Sequence, residues 1–217
     1  MQPASSFASS DIARLPVIDL SLIGSAAPWT DHLAAQLDWA AMEFGFFYVV
    51  GHGVDPTVVS AMHEAAKRFF ALPHDAKTAL TMSRGGRAWR GYFPVGGELT
   101  SGQPDLKEGL YLGAELGGDD PRVRAGLPLH GRNLFPDIPA FREITLHYLD
   151  ELTALSQRLI AVLGKGLGVG DEYFRRQSTY GNCTELMVNT CWARCRGYFR
   201  SWAAHSLPAS IRIYRYE

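Results

Sequence analysis

From Asp137 to Gly170 the chain places apolar residues at nearly every third or fourth position. They are Ile138, Phe141, Ile144, Tyr148/Leu149, Leu152, Leu155, Leu159/Ile160, Leu163 and Leu167. A spacing near 3.6 gathers them into one wide stripe and predicts a helix over 138–168. A stripe this wide needs apolar surface to cover, and a sheet is the natural partner. Burying six such Leu/Ile/Phe side chains is worth roughly 1.5–3 kcal/mol each before entropy is subtracted. Asp137 and Pro139 open the helix, and Gly164, Gly166, Gly168 and Gly170 fray or end it.

The stretches before it supply that surface. Leu15-Pro-Val-Ile-Asp-Leu20 reads as a short strand, with its proline favouring an edge. Thr30 can cap a helix whose apolar positions are Leu33, Leu37, Ala40/Ala41 and Phe44, ended by Gly45. Phe46-Phe-Tyr-Val-Val50 is aromatic and β-branched and predicts a buried strand, turned by Gly51-His-Gly53. Asp55-Pro56 starts a helix that buries Val58, Val59, Met62, Ala65/Ala66 and Phe69/Phe70 and stops before Leu72-Pro73. Residues 84–136 hold more than half of the 22 glycines and read as loop-rich, the kind of region that often binds ligands. Strands are expected inside it at Arg90–Phe93 and Glu108–Leu112. Ser210–Tyr216 alternates and predicts a final strand.

Composition excludes several classes. The chain has 217 residues, is 47% hydrophobic and 20% charged, and carries a net charge of −1. Those values fit a globular core and exclude disorder or a fibre. The apolar runs are too short and interrupted to span a bilayer. Residues 1–10 have no basic, apolar signal pattern, so a cytoplasmic protein is expected. Bulk charge favours neither nucleic acid nor membrane. The balance is uneven, however. Arg194, Arg196, Arg200, Arg212 and Arg215 face only Glu217 after residue 187, so the last thirty residues carry +4 and the rest −5.

The ordered set of pieces resembles a known family. It comprises Leu15–Leu20, Phe44-Gly-Phe-Phe-Tyr-Val-Val-Gly-His-Gly-Val54, Phe69-Phe70, Leu72-Pro73, Arg90-Gly-Tyr92, Asp105–Tyr111, Asn133-Leu-Phe-Pro136 and the long helix. Together they are similar to the Fe(II)/2-oxoglutarate-dependent dioxygenases and isopenicillin N synthase-like enzymes, over about residues 14–176. The resemblance implies an α+β chain: the N-terminal α/β region of a double-stranded β-helix (jelly-roll) oxygenase, with the long helix backing the larger sheet. Residues 1–13 are then a flexible lead, 177–209 an atypical Arg/Cys/Trp-rich segment, and 210–217 the start of a jelly-roll strand in an incomplete roll.

Such enzymes hold iron with two His and one carboxylate, leaving positions for 2-oxoglutarate and oxygen. The first two ligands come as His-x-Asp or His-x-Glu. None of His32, His52, His63, His74, His130, His147 and His205 has an acid two residues later. His52 lies in the Gly-His-Gly turn and is expected to be structural, and His147 is expected on the polar side of the long helix. His63 and His147 could meet only if the fold brought them together. The expectation is therefore no catalytic or metal-ligating residue in this chain. Fe(II) and 2-oxoglutarate are implied for complete family members, with none expected to bind here, and the chain is expected to stop before its iron site.

Arg90 and Tyr92 are the candidate substrate-binding residues. The matching family segment lies near the active-site mouth, where an Arg could bind a carboxylate and a Tyr could donate a hydrogen bond. The alternative is a surface charge and a packed ring. Lys107-Glu108 reads as a structural ion pair or a solvated one. Cys183, Cys191, Cys195 and His205 are ligand types for zinc, but their spacing lacks a Cys-x2-Cys hairpin, so reduced thiols are expected. Residues 179–209 read either as an insertion or as an aberrant reading of the gene. A non-catalytic module that pairs with a jelly-roll chain, or with itself, through an exposed sheet edge is the rival to an oxygenase fragment. The partner expected for the complete family is a small-molecule substrate.

Overall fold

The computed structural model describes residues 15–23, 29–100, 102–173 and 185–191. These fall into two compact units, with the chain passing between them at Gly53/Val54 and again at Thr153/Ala154. Ser210–Tyr216, Cys183, Cys195 and His205 lie outside the described residues.

The first unit is built on a parallel pair. Strand β1 (Val17–Asp19) lies beside β2 (Tyr48–Val50), with Ile18 opposite Val49. Parallel strands need a crossover, and α1 (Trp29–Glu43) lies within it. Leu33, Leu37 and Ala40 form its buried face, as their spacing predicts. Two expectations are corrected. The helix begins at Trp29, so Thr30 sits in its first turn rather than capping it. The aromatic stretch is a strand only from Tyr48, and Phe46 is exposed rather than buried. Between the end of α1 and β2 the chain must turn, and Gly45 does so at φ 68°, leaving Phe46 in the connection.

The second unit carries the larger core. Helix α2 (Pro56–Phe70) starts as Asp55-Pro56 predicts: Asp55 Oδ1 accepts the Thr57 N–H at 2.7 Å, and Pro56 needs no N–H partner. Val58, Met62, Ala65 and Phe69 are buried along one face. A short helix, α3 (His74–Thr78), and two single 3-10 turns (Met82–Arg84, Gly86–Ala88) follow. Strand β3 (Gly91–Phe93) then pairs antiparallel with β6 (Lys107–Gly113). A small hairpin of β4 (Leu99–Thr100) and β5 (Gln103–Pro104) lies between them in sequence, and the one-turn helix α4 (Pro121–Arg124) follows β6.

The other edge of β6 is covered by β7 (Glu185–Cys191), antiparallel and in register over all seven residues, from Lys107 opposite Cys191 to Gly113 opposite Glu185. This strand falls inside the segment read from sequence as atypical. The sheet order is therefore β3-β6-β7.

Helix α5 is continuous from Phe141 to Gly166. It starts after Ala140, whose positive φ of 60° breaks the path from Pro139, so the helix begins three residues later than the pattern suggests. Its first half belongs to the second unit. Phe141 joins Ala65, Phe69, Tyr92, Leu110 and Leu112 in one buried cluster, with Ile138 and Ile144 packed around it. Phe69 is its hub, 6.1 Å between ring centroids from both Tyr92 and Phe141. A helix stripe and two strands thus share one core, as the width of the stripe requires. The second half of α5 belongs to the first unit. Leu155, Leu159 and Val162 are buried there, Arg158 Nη2 donates to the His52 carbonyl at 3.2 Å, and Lys165 Nζ lies 2.7 Å from Asp31 Oδ1.

Candidate functional site

The polar residues singled out from sequence converge on the β3–β6 pair. Tyr92 and Glu108 point into the core beneath it. Tyr92 is 1% exposed and Glu108 2%. The Tyr92 hydroxyl donates to Glu108 Oε2, and Lys77 Nζ reaches the same carboxylate at 2.8 and 3.0 Å. Lys77 is itself buried and also donates to the Phe70 carbonyl at 3.2 Å. A charge taken out of water persists only when it is paired and hydrogen-bonded, and this cluster meets that condition. Burial, and then the Glu108 carboxylate, push the Tyr92 phenol well above its ordinary value. It stays a neutral donor across the physiological range.

Arg90 lies one residue outside β3 and is also 1% exposed. Its Nη2 donates to the Leu129 carbonyl at 3.1 Å. Its guanidinium lies close against Gly113 at the end of β6: a Cβ on Gly113 would stand 2.1 Å from Arg90 Nη2. Asn133 completes the same corner. Its amide pairs with both backbone groups of Gly113 at 2.8 Å, as a neighbouring strand would, and donates to Glu115 Oε2 at 2.8 Å. The glycine, the arginine and the asparagine therefore fit one another.

Both candidate substrate residues are thus buried. Tyr92 is inside because β3 does not alternate: Gly91, Tyr92 and Phe93 are all buried. Lys107 and Glu108 are both in ion pairs, but not with each other. Successive strand residues face opposite sides. Lys107 turns to Glu98 and Asp105, at 3.1 and 3.0 Å, while Glu108 turns inward to Lys77. Lys77 went unnoticed in sequence because it pairs across 31 positions; a lone lysine in a short amphipathic helix gives no local signal.

The histidines stay apart. His147 is exposed on α5, 3.9 Å from Glu151, and His63 is exposed on α2. His52 is half-buried in its turn. Among the described residues no three His, Cys, Asp or Glu side chains come together as a metal site. The described residues do not assemble the donor set for a resident iron. Among them, too, no helix is long and apolar enough to cross a membrane.

Residues 15–138 match the family model described as the N-terminal region of non-haem dioxygenase in morphine synthesis. The chain is 40% identical over 179 residues to a "Probable iron/ascorbate oxidoreductase" of Dictyostelium discoideum, covering 77% of this chain and 49% of that protein. It is 34% identical over 178 residues to a 1-aminocyclopropane-1-carboxylate oxidase of Dictyostelium mucoroides, covering 78% and 47%. The fold is similar to a crystal structure of a 2OG-Fe(II) oxygenase family protein from Caulobacter crescentus, with a TM-score of 0.61 and 27% identity over 74% of this chain and 51% of that one. The chain spans about half the length of the curated relatives it matches. The matched region includes β1 through β6 and the buried Lys77–Glu108–Tyr92 cluster, and on that ground the chain belongs to the non-haem dioxygenase family, in its N-terminal region.

Proposed function

We propose that this chain is the scaffold half of an Fe(II)/2-oxoglutarate-dependent oxygenase that oxidises a small molecule, and that it does not turn over substrate by itself. The observation that carries the reading is the pairing of two facts. The family match is continuous over residues 15–138, yet none of the seven histidines has an acid two residues later. In this reading β3, β6 and β7 are strands of an incomplete jelly roll, α5 backs them, and the iron ligands and the 2-oxoglutarate pocket come from residues this chain does not supply. Arg90 and Tyr92 act as positioning residues: they lock β3 to β6 and leave substrate contact to other groups.

The test is succinate formation by the purified chain with Fe(II), 2-oxoglutarate and oxygen. The expected result is no succinate above a chelator-treated control. Chelator-sensitive succinate formation would overturn the reading. One relative is named for iron and ascorbate and another for 1-aminocyclopropane-1-carboxylate, so no single substrate is proposed.

A further inference from the structure

A second polar feature lies outside the buried cluster. Residues 84–90 and 121–132 hold six arginines between them and no Asp or Glu. Two of the six are used within the fold: Arg90 on the Leu129 carbonyl, and Arg122 on Asp120, 2.8 Å away. Arg84, Arg87, Arg124 and Arg132 are exposed, and no carboxylate pairs with them among the described residues. This one-signed patch stands out in a chain that is net acidic up to residue 187. Gathered like charges repel, and an anion among them relieves the repulsion.

Three of the four meet at one groove. The two 3-10 turns and the loop after α4 enclose a space of about 310 Å³, lined by Arg84, Arg87 and Arg132, with His130 also in its wall. No Asp or Glu lines it. The two arginine-bearing segments are held together. The Leu129 N–H donates to the Arg87 carbonyl at 2.8 Å, and a Cβ on Gly131 would stand 2.7 Å from the Ala88 Cβ. Trp89 and Leu129 keep left-handed backbone, at φ 52° and 65°, a strain that persists only where the surroundings impose it. The groove wall is thus a formed part of the fold.

Its arginines have donors to spare. Arg84 Nη1 donates to the Ala79 carbonyl and Arg87 Nη1 to the Gly126 carbonyl, which anchors each at one nitrogen. The Arg132 side chain has no hydrogen-bond or ion-pair partner among the described residues. A guanidinium has five N–H donors in a planar fork, so most of each fork remains for a ligand.

We propose that the groove binds a small dianionic oxyanion, held by the forks of Arg84, Arg87 and Arg132. A phosphate group and a dicarboxylate share this chemistry: each offers oxygens to more than one guanidinium at once. The volume lies at the small end of ligand sites and suits one such anion rather than a polymer strand. The proposal is independent of the oxygenase reading, since this chain supplies all three side chains itself.

Titration calorimetry on the full chain tests it, at constant ionic strength and a slightly alkaline pH where phosphate is a dianion. The probes are inorganic phosphate, malonate and acetate. The expected result is saturable one-site binding of phosphate or malonate, at least about tenfold tighter than that of acetate, which offers a single carboxylate. The tighter dianion names the source. Arg132→Gln, at an exposed position with no partner to lose, weakens that dianion about tenfold, and Arg84→Gln does the same. Arg124→Gln removes an equal charge from the same patch but outside the groove, and changes the affinity by less than about twofold. Thermal unfolding of Arg132→Gln is expected to match the parent, which separates lost binding from lost fold. No saturable binding of either dianion, acetate binding as tightly as malonate and phosphate, or Arg124→Gln weakening the dianion as much as Arg132→Gln would overturn the proposal. None of these results bears on succinate formation, so the two readings fail separately.

Discussion

Lys77→Met is expected to destabilise the chain by about 3–5 kcal/mol, the usual cost of leaving one charge of a buried pair without its partner. Lys77 Nζ and Glu108 Oε2 are 2.8 Å apart, with side chains 7% and 3% exposed. Methionine fills the lysine stem's space but removes both Lys77 bonds to the Glu108 carboxylate, which keeps the Tyr92 hydroxyl. It also removes the donor to the Phe70 carbonyl at the end of α2. Urea unfolding measures the loss. The double substitution Lys77→Met, Glu108→Gln is the decisive control, because it removes both charges. It is expected to be more stable than Lys77→Met alone, since neutral glutamine can still accept from Tyr92. A single variant within about 0.5 kcal/mol of the parent, the ordinary range for surface changes, would mean that the pair is not buried as described.

Gly91→Ala is the second large effect. Gly91 has φ 124°, a region that L-residues rarely enter, and a Cβ there would stand 2.5 Å from the Leu80 carbonyl oxygen. That carbonyl accepts the Tyr92 N–H at 2.7 Å, so relieving the clash breaks the bond that holds β3 against the preceding segment. Backbone strain of about 1–3 kcal/mol and a lost buried hydrogen bond of about 1 kcal/mol add in the same direction. Gly86→Ala isolates the first contribution. Gly86 also has positive φ, 53°, but nothing lies within 4 Å of its added Cβ. Thermal unfolding should therefore rank the parent above Gly86→Ala and Gly86→Ala above Gly91→Ala. Equal losses for the two would show that the Leu80 contact carries no weight.

These two sites mark where the sequence stops being legible. The α5 stripe could be read because a helix repeats its pattern, and Leu149, Leu152, Leu155 and Leu159 are all buried. Asp55-Pro56 could be read because a cap is local: two adjacent residues meet the need of one helix end. The direction of Tyr92 could not, because β3 is three residues long and opens on Gly91, whose φ of 124° L-residues rarely adopt. Periodicity has nothing to repeat over there. Lys77 and Glu108 were hidden for a different reason: their partnership exists only once α3 and β6 have been brought together. The resemblance picked out Arg90-Gly-Tyr92, Asp105–Tyr111 and Asn133–Pro136, and these do meet in space. What it could not supply is that they meet one another. Arg90 packs closely against Gly113, Asn133 pairs with Gly113, and Tyr92 bonds to Glu108. β7 was missed because its surroundings are rich in Arg, Cys and Trp. Within Glu185–Cys191, Leu186 and Val188 stand opposite Leu112 and Leu110, a strand pattern that such composition obscures.

We propose that this chain contributes scaffold and not the iron centre. Equilibrium dialysis of Fe(II) against the full chain under anaerobic conditions, with and without 2-oxoglutarate, tests it most directly. No stoichiometric iron is expected, and no increase in retention when 2-oxoglutarate is added. One iron per chain, held more tightly with 2-oxoglutarate present, would contradict it.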